Sequence, residues 1–156
     1  MDERFYKIGN QNKRICLLTD LHFDIKDYDL TVFDKILNSL NSNKPDFICL
    51  SGDIIDNPFI IYDDKMNTLK DFIIKLSKIA QVIISLGNHD IMYKKTQGNF
   101  NDVNDWFLNL NKLENVYYLN NKNLVRDNLC FIGFNPDYKY YMYEDKRYYL
   151  KEPKYL

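Results

Sequence analysis

The chain has 156 residues, of which 46% are apolar and 28% are charged. This length fits one domain over residues 1–156, and the apolar fraction is high enough to build a core, which excludes wholesale disorder. The 21 basic and 22 acidic residues leave a formal net charge of -1. This near-balance excludes a strongly basic nucleic-acid binder and makes nucleic acid an unfavoured partner.

Neither a leader nor a membrane segment is evident in the sequence. Met1 to Ile15 is charged and lacks the apolar stretch of a signal peptide, and no apolar run approaches the about 20 residues that span a bilayer. Cys16, Cys49 and Cys130 each lie inside an apolar run, which favours buried thiols over a disulfide framework or a zinc site. We therefore expect a cytoplasmic protein without a membrane partner.

Apolar runs alternate with segments of helical periodicity along the first 86 residues. The runs predict strands over Arg14–Thr19, Phe47–Ser51 and Val82–Leu86. Helices with apolar stripes that predict core packing lie between them, over Leu30–Leu40 and Leu69–Ile79. Continuous apolar strands separated by helices favour an α/β fold, in which βαβαβ crossovers form a parallel or mixed sheet that is flanked by helices and covered on both faces.

The second half of the chain has shorter elements. A helix is predicted over Val103–Leu110, and strands over Val116–Leu119, Leu124–Arg126 and Leu129–Phe134 follow closely enough to suggest a meander. Residues 137–156 form a Tyr/Lys-rich end segment with seven of the 13 tyrosines. Such a segment can stack on nucleic-acid bases or pack its rings on protein, and the absence of an RNA-binding motif favours packing.

Polar residues follow each of the three predicted strands of the first half. They are Asp20 and His22, then Asp53 and Asp56, then Asn88, His89 and Asp90. Because ligand sites of open α/β sheets form at the carboxyl ends of the strands, we expect these side chains to converge.

The residue types suit a divalent cation. Asp20, His22 and Asp53 offer two carboxylates and an imidazole, a set that binds Mn, Fe, Zn or similar ions. Asp20 and His22 are two residues apart, so in a regular strand both would point to one face. Asp53 can bridge two ions, and Asn88 can supply a carbonyl oxygen to the second. Two ions about 3.5–4 Å apart can hold a hydroxide and clamp a displacement at phosphorus.

The order Asp-x-His, Gly-Asp-x-x-Asp and Gly-Asn-His-Asp over Arg14 to Asp90 resembles the opening signature of the calcineurin-like metallophosphoesterases. The resemblance implies the N-terminal portion of a four-layer α/β/β/α sandwich. It also implies hydrolysis of phosphomonoesters or phosphodiesters by a hydroxide that bridges two metal ions. By position, Asp20 and His22 match ligands of the first ion, Asp53 matches the bridging carboxylate, and Asn88 matches a ligand of the second ion.

The same resemblance implies roles for the remaining polar residues. His89 matches the histidine that contacts the phosphate and protonates the leaving oxygen. Asp90 matches the carboxylate that orients this histidine and keeps it protonated. Asp56 matches a position that organises its loop rather than binding metal.

The chain departs from the family pattern in its histidines. Family members carry later Gly-His and Gly-His-x-His motifs that supply three further ligands, whereas this chain has two histidines in total. The domain is therefore expected to be incomplete at its C-terminal end, with ions weakly held and a pocket open on one side. The alternative is a catalytically deficient, truncated fold that serves as a binding module, self-associates, or needs a partner supplying the missing half. A nuclease-like use of the site gains no support from the net charge.

Overall fold

The computed structural model describes residues 12–24, 26, 28–91 and 100–135. Its strands are β1 (Ile15–Leu18), β2 (Phe47–Ser51), β3 (Gln81–Ser85), β4 (Val116–Tyr118), β5 (Lys122–Arg126) and β6 (Leu129–Gly133). Its helices are α1 (Thr31–Asn43), α2 (Met66–Ile79), α3 (Asn88–Ile91) and α4 (Phe100–Leu110), with a 3₁₀ helix at Pro58–Tyr62. The Tyr/Lys-rich segment 137–156 lies outside the described residues, so its predicted packing is untested.

The first four strands form one parallel sheet in the order β1-β2-β3-β4. Leu18 pairs with Leu50, Leu50 with Ile84, and Ile84 with Tyr118, so the four strands run side by side in the same direction. The predicted α/β fold with a parallel sheet and helical crossovers is thus confirmed. All four strands end at the same edge of the sheet, where the polar residues follow.

Helices α1, α2 and α4 cover one face of this sheet. Leu50 and Ile84 are buried beneath them in a continuous apolar core. Phe33 of α1 stacks on Phe72 of α2 with ring centroids 3.9 Å apart and planes 5° from parallel. The apolar stripes predicted from helical spacing therefore face the sheet.

The antiparallel hairpin β5–β6 covers the other face. Phe47, Ile83 and Leu119 are buried against it and pack with side chains such as Leu124 and Phe131. Within the described ranges the layers are thus helices, sheet and hairpin, so both faces of the sheet are covered as expected, one by helices and the other by the hairpin. The predicted meander is also wrong for β4, because the crossover through α4 returns that strand parallel to β3.

Several apolar side chains remain exposed on the hairpin side. Ile15 and Leu17 of β1 are 51% and 65% exposed, and Ile132 and Phe134 are 76% and 72% exposed. The prediction of three buried thiols is wrong, because Cys16 and Cys49 are half-buried and Cys130 is exposed. Successive side chains of a strand alternate between its faces, and Cys130 lies on the outer face of β6.

Helix α1 extends three residues beyond its predicted end at Leu40. Lys44 ends it in the left-handed conformation, with φ 49°, and donates its backbone N–H to the carbonyl of Leu40 at 2.8 Å. No helix in the described part of the chain combines the length and apolarity that a bilayer crossing requires.

Candidate metal centre

The segment after β1 lies along the segment after β2. The backbone N–H of His22 donates to the carbonyl of Asp53 at 2.9 Å, and that of Phe23 donates to Ile54 at 2.9 Å. The backbone N–H of Asp56 then donates back to the carbonyl of Phe23 at 3.0 Å. These bonds continue the parallel pairing past the ends of the strands, which places Asp20 and His22 beside Asp53.

The backbone at the three predicted ligands of the metal is left-handed. Asp20, His22 and Asp53 have φ values of 54°, 45° and 51°, and β1 ends before them at Leu18. The expectation that a regular strand carries Asp20 and His22 is therefore wrong. The left-handed region costs an L-residue roughly 1–2 kcal/mol. Such conformations persist where surrounding bonds hold them, and they concentrate at functional sites.

Despite this backbone, the predicted ligands come together. A nitrogen of His22 and carboxylate oxygens of Asp20 and Asp53 all lie within 4.8 Å of one another. Nε2 of His22 is 3.8 Å from an oxygen of Asp20, whose side chain is exposed to solvent. Two carboxylates and one imidazole at these separations fit a divalent cation, with oxygen and nitrogen ligands and an open side for further ones.

The loop after β3 joins this group through two glycines. Gly52 has φ 83°, and a Cβ placed on it would lie 3.0 Å from the Cα of Gly87. Beyond Gly87, Asn88 begins the short helix α3, and the backbone N–H of His89 donates to Oδ1 of Asp53 at 2.9 Å. The structure thus brings the third predicted cluster alongside the first two.

Asp90 is completely buried and bonds to the backbone of two loops. One oxygen accepts the N–H groups of Ile54 and Ile55, both at 2.8 Å, and the other accepts that of Gly87 at 2.7 Å. Burial raises the pKa of Asp90 to about 7, assisted by the charge of Asp53 and opposed by these hydrogen bonds. Asp90 therefore ties the loop after β2 to the loop after β3, and its predicted orienting role toward His89 stays a prediction.

The ring of His89 contacts Asp56. Its Nδ1 lies 3.1 Å from the backbone carbonyl of Asp56 and 3.8 Å from the carboxylate. The same carboxylate is 3.2 Å from Nδ1 of His22, and the two imidazole rings meet edge to face at 4.6 Å. Sequence reasoning missed this central position of Asp56. The only signal was its place three residues after Asp53 in the Gly-Asp-x-x-Asp motif.

Comparisons with known proteins identify the family of the chain. The profile of the calcineurin-like phosphoesterases matches residues 13–154. Protein 078R of Invertebrate iridescent virus 3, which carries a provisional phosphoesterase name, is 32% identical over 104 residues, or 65% of this chain and 29% of its own length. An uncharacterized metallophosphoesterase of Campylobacter jejuni is 30% identical over 115 residues, or 71% of this chain and 26% of its own length.

The chain thus spans less than a third of the length of either relative. Among solved structures, a nuclease of Pseudomonas putida aligns with a TM-score of 0.42 and 13% identity, over 74% of this chain and 52% of its own. The profile match extends over nearly the whole chain and includes all three polar clusters of the sheet edge. The chain belongs to the calcineurin-like phosphoesterase family.

Proposed function

We propose that this protein is a metal-dependent phosphoesterase that hydrolyses phosphomonoesters or phosphodiesters at a dinuclear site. One observation carries the proposal. The ligand atoms of Asp20, His22 and Asp53 lie within 4.8 Å of one another at the carboxyl ends of two adjacent parallel strands. The match to the calcineurin-like phosphoesterases supports this assignment, since members of that family use divalent cations.

In this proposal Asp20 and His22 would hold the first ion, Asp53 would be a ligand of both ions, and Asn88 would offer its carbonyl oxygen to the second. Bound divalent ions supply Lewis-acid activation of water and neutralise charge on the phosphoryl oxygens. The described residues leave the ligand group open on the Asp20 side, which suits ions that are held weakly. Manganese, iron and zinc all accept this mixture of oxygen and nitrogen ligands.

His89 is proposed to contact the phosphate and to protonate the leaving oxygen. Its backbone N–H is anchored on Asp53, so the imidazole lies next to the ligand group. Its Nδ1 is occupied by the carbonyl of Asp56, which leaves Nε2 for the substrate. Asp90 is proposed to hold His89 in this position from its buried site. It fixes the Gly87 end of the loop that carries His89.

A cytoplasmic location is part of the proposal. Cys16, Cys49 and Cys130 form no disulfide in the described part of the chain, as is usual in proteins of reducing compartments. The test is a fractionation of the native host cells that compares the protein with cytosolic and membrane markers. Recovery with the membrane marker would contradict it.

The activity is tested with an aryl phosphodiester and the matching aryl phosphomonoester while Mn²⁺ is titrated in. The expected result is metal-dependent turnover that Asp53→Asn abolishes, because the bridging carboxylate loses its charge and a ligand oxygen. Asp64→Asn makes the same change at an exposed position and should retain the activity. An undiminished rate of hydrolysis in Asp53→Asn would contradict the proposed site.

A second candidate function is a catalytically deficient binding module that associates with a second copy of the chain. The favouring observation is the set of exposed apolar side chains, among them Leu17, Ile132 and Phe134. Contiguous exposed apolar surface commonly marks an interface. Sedimentation over a range of concentrations should then show a dimer that Ile132→Ser weakens. A monomer at every concentration, combined with metal-dependent turnover, would eliminate this candidate.

A further inference from the structure

We propose that Asp56 positions both histidines of the site through two different oxygen atoms. Its carboxylate fixes the ring of His22, and its backbone carbonyl fixes the ring of His89. Both rings then carry hydrogen on Nδ1 and present an unprotonated Nε2 when neutral. This inference rests on the proposed function, in which Nε2 of His22 faces a cation and Nε2 of His89 faces a phosphoester after taking up the proton that it donates.

The carboxylate contact determines the tautomer of His22. An ionised carboxylate only accepts hydrogen bonds, so the ring nitrogen beside it must carry the hydrogen. That nitrogen is Nδ1, 3.2 Å from Oδ1 of Asp56. Nε2 is left on the opposite side of the ring, 3.8 Å from Asp20. A carboxylate behind a metal-binding imidazole fixes its orientation and raises its basicity as a ligand.

The backbone contact acts on His89 by the same logic. A carbonyl oxygen accepts and cannot donate, so Nδ1 of His89, 3.1 Å away, carries the hydrogen. The backbone at Asp56 is anchored, because its N–H donates to the carbonyl of Phe23, next to the bridge between Phe23 and Ile55. A change of side chain at position 56 therefore leaves the partner of His89 intact.

One competing arrangement uses the same atoms. Ring nitrogens of His22 and His89 and a carboxylate oxygen of Asp56 also lie within 4.8 Å of one another and could hold a cation themselves. The Nδ1 atoms that contact Asp56 would then be the ligands, and Nε2 would be free. The two arrangements therefore differ in which ring nitrogen a metal ion perturbs. The Asp20 group offers two carboxylates instead of one, which favours it for a divalent ion.

The chain has two histidines, so the side-chain spectrum of a ¹⁵N-labelled sample contains two rings. In metal-free, alkaline buffer, long-range ¹H–¹⁵N spectra should show the Nδ1–H tautomer for both. Asp56→Ala should release His22 into a mixture of tautomers and leave His89 unchanged. Asp56→Asn retains an acceptor oxygen and should keep the wild-type pattern. The Asp56 side chain is 45% exposed, so both variants are expected to fold, and Asp64→Ala serves as the control.

The metal arm uses Zn²⁺ alone as the probe. Its addition should shift the Nε2 resonance of His22, and calorimetry should show about 10- to 100-fold weaker Zn²⁺ binding in Asp56→Ala, the range found for carboxylates behind metal-binding histidines. An unchanged His22 tautomer in Asp56→Ala, or a Zn²⁺ effect on Nδ1, would overturn the inference. The tautomers of the metal-free protein test the role of Asp56 without any measurement of hydrolysis. A failure of the proposed phosphoesterase activity can therefore be distinguished from a failure of this inference.

Discussion

Gly52 and Gly87 bring the loops after β2 and β3 into direct backbone contact, since a Cβ on Gly52 would lie 3.0 Å from the Cα of Gly87. A Cβ on Gly87 would overlap the carboxylate of Asp53 and lie 2.6 Å from its backbone nitrogen. The two loops, which carry predicted metal ligands, can approach this closely only because neither position bears a side chain. The second and third clusters can lie this close because Gly52 and Gly87 each have a hydrogen atom where other residues have a Cβ.

Gly87→Ala should therefore weaken both the fold and the site. Overpacking of this kind costs typically about 1–3 kcal/mol, and the atom that must move belongs to Asp53. Urea unfolding and Mn²⁺ calorimetry measure the two effects. Asn123→Ala, at an exposed position of β5, is the control and should change neither. Wild-type Mn²⁺ affinity in Gly87→Ala would show that Asp53 does not depend on this contact.

Asp90→Ala should lower the free energy of unfolding by about 3 kcal/mol or more. The carboxylate accepts three backbone N–H groups in a fully buried position, and each buried donor left without a partner costs about 1–3 kcal/mol. Chemical denaturation measures the loss, with Asp105→Ala on the exposed side of α4 as the control. A loss equal to that of the control would mean that water replaces the carboxylate.

The raised pKa of Asp90, about 7, makes stability depend on pH. The folded protein binds this proton more tightly than the unfolded chain, whose carboxyl titrates near pH 3.8. The contribution of Asp90 to the free energy of unfolding is therefore fully present below pH 3.8 and is lost as pH rises through about 7. In metal-free buffer, the stability difference between wild type and Asp90→Asn should fall across this interval. A difference that rises with pH would contradict the raised pKa.

Lys44→Gly should stabilise the protein by about 0.5–1 kcal/mol. Lys44 ends α1 with φ 49°, a conformation that glycine adopts without the steric cost of a Cβ. Its capping bond to Leu40 uses the backbone N–H and survives the change. Lys35→Gly, inside the same helix, should instead destabilise by about 1 kcal/mol, since glycine is a poor helix former. Thermal unfolding of both variants measures the contrast, and a fall in Tm for Lys44→Gly would refute it.

The sheet and the place of the site could be predicted from the sequence because both depend on short-range patterns. Apolar runs such as Phe47–Ser51 predict buried strands. Apolar stripes at helical spacing, such as Phe33 and Ile36, predict the buried face of a helix. The ligand types and their positions after the strands indicated a metal site for the same reason. Those positions are fixed by the strand ends, which the apolar runs already mark.

The features that the sequence did not predict depend on contacts between loops that are distant in the sequence. Such contacts leave no periodic pattern of residues. The left-handed backbone of Asp20 and His22 arises from bonds to the loop after β2, so an extended strand was expected in its place. Asp56 reaches both histidines only because the backbone N–H of that residue is bound to Phe23. The hairpin face could not be told from a helix-covered face, because apolar residues line β2 on both sides.

Asp90 links the loops after β2 and β3 with bonds among protein atoms alone, so this link does not require an ion. Small zinc domains behave differently, because they are unfolded without the metal and the free energy of metal binding drives their folding. If the site binds ions as proposed, ordering of these loops and ion capture would be separate events. Ions would then leave and return without unfolding the sheet, and the occupancy of the site would follow the free ion concentration around it.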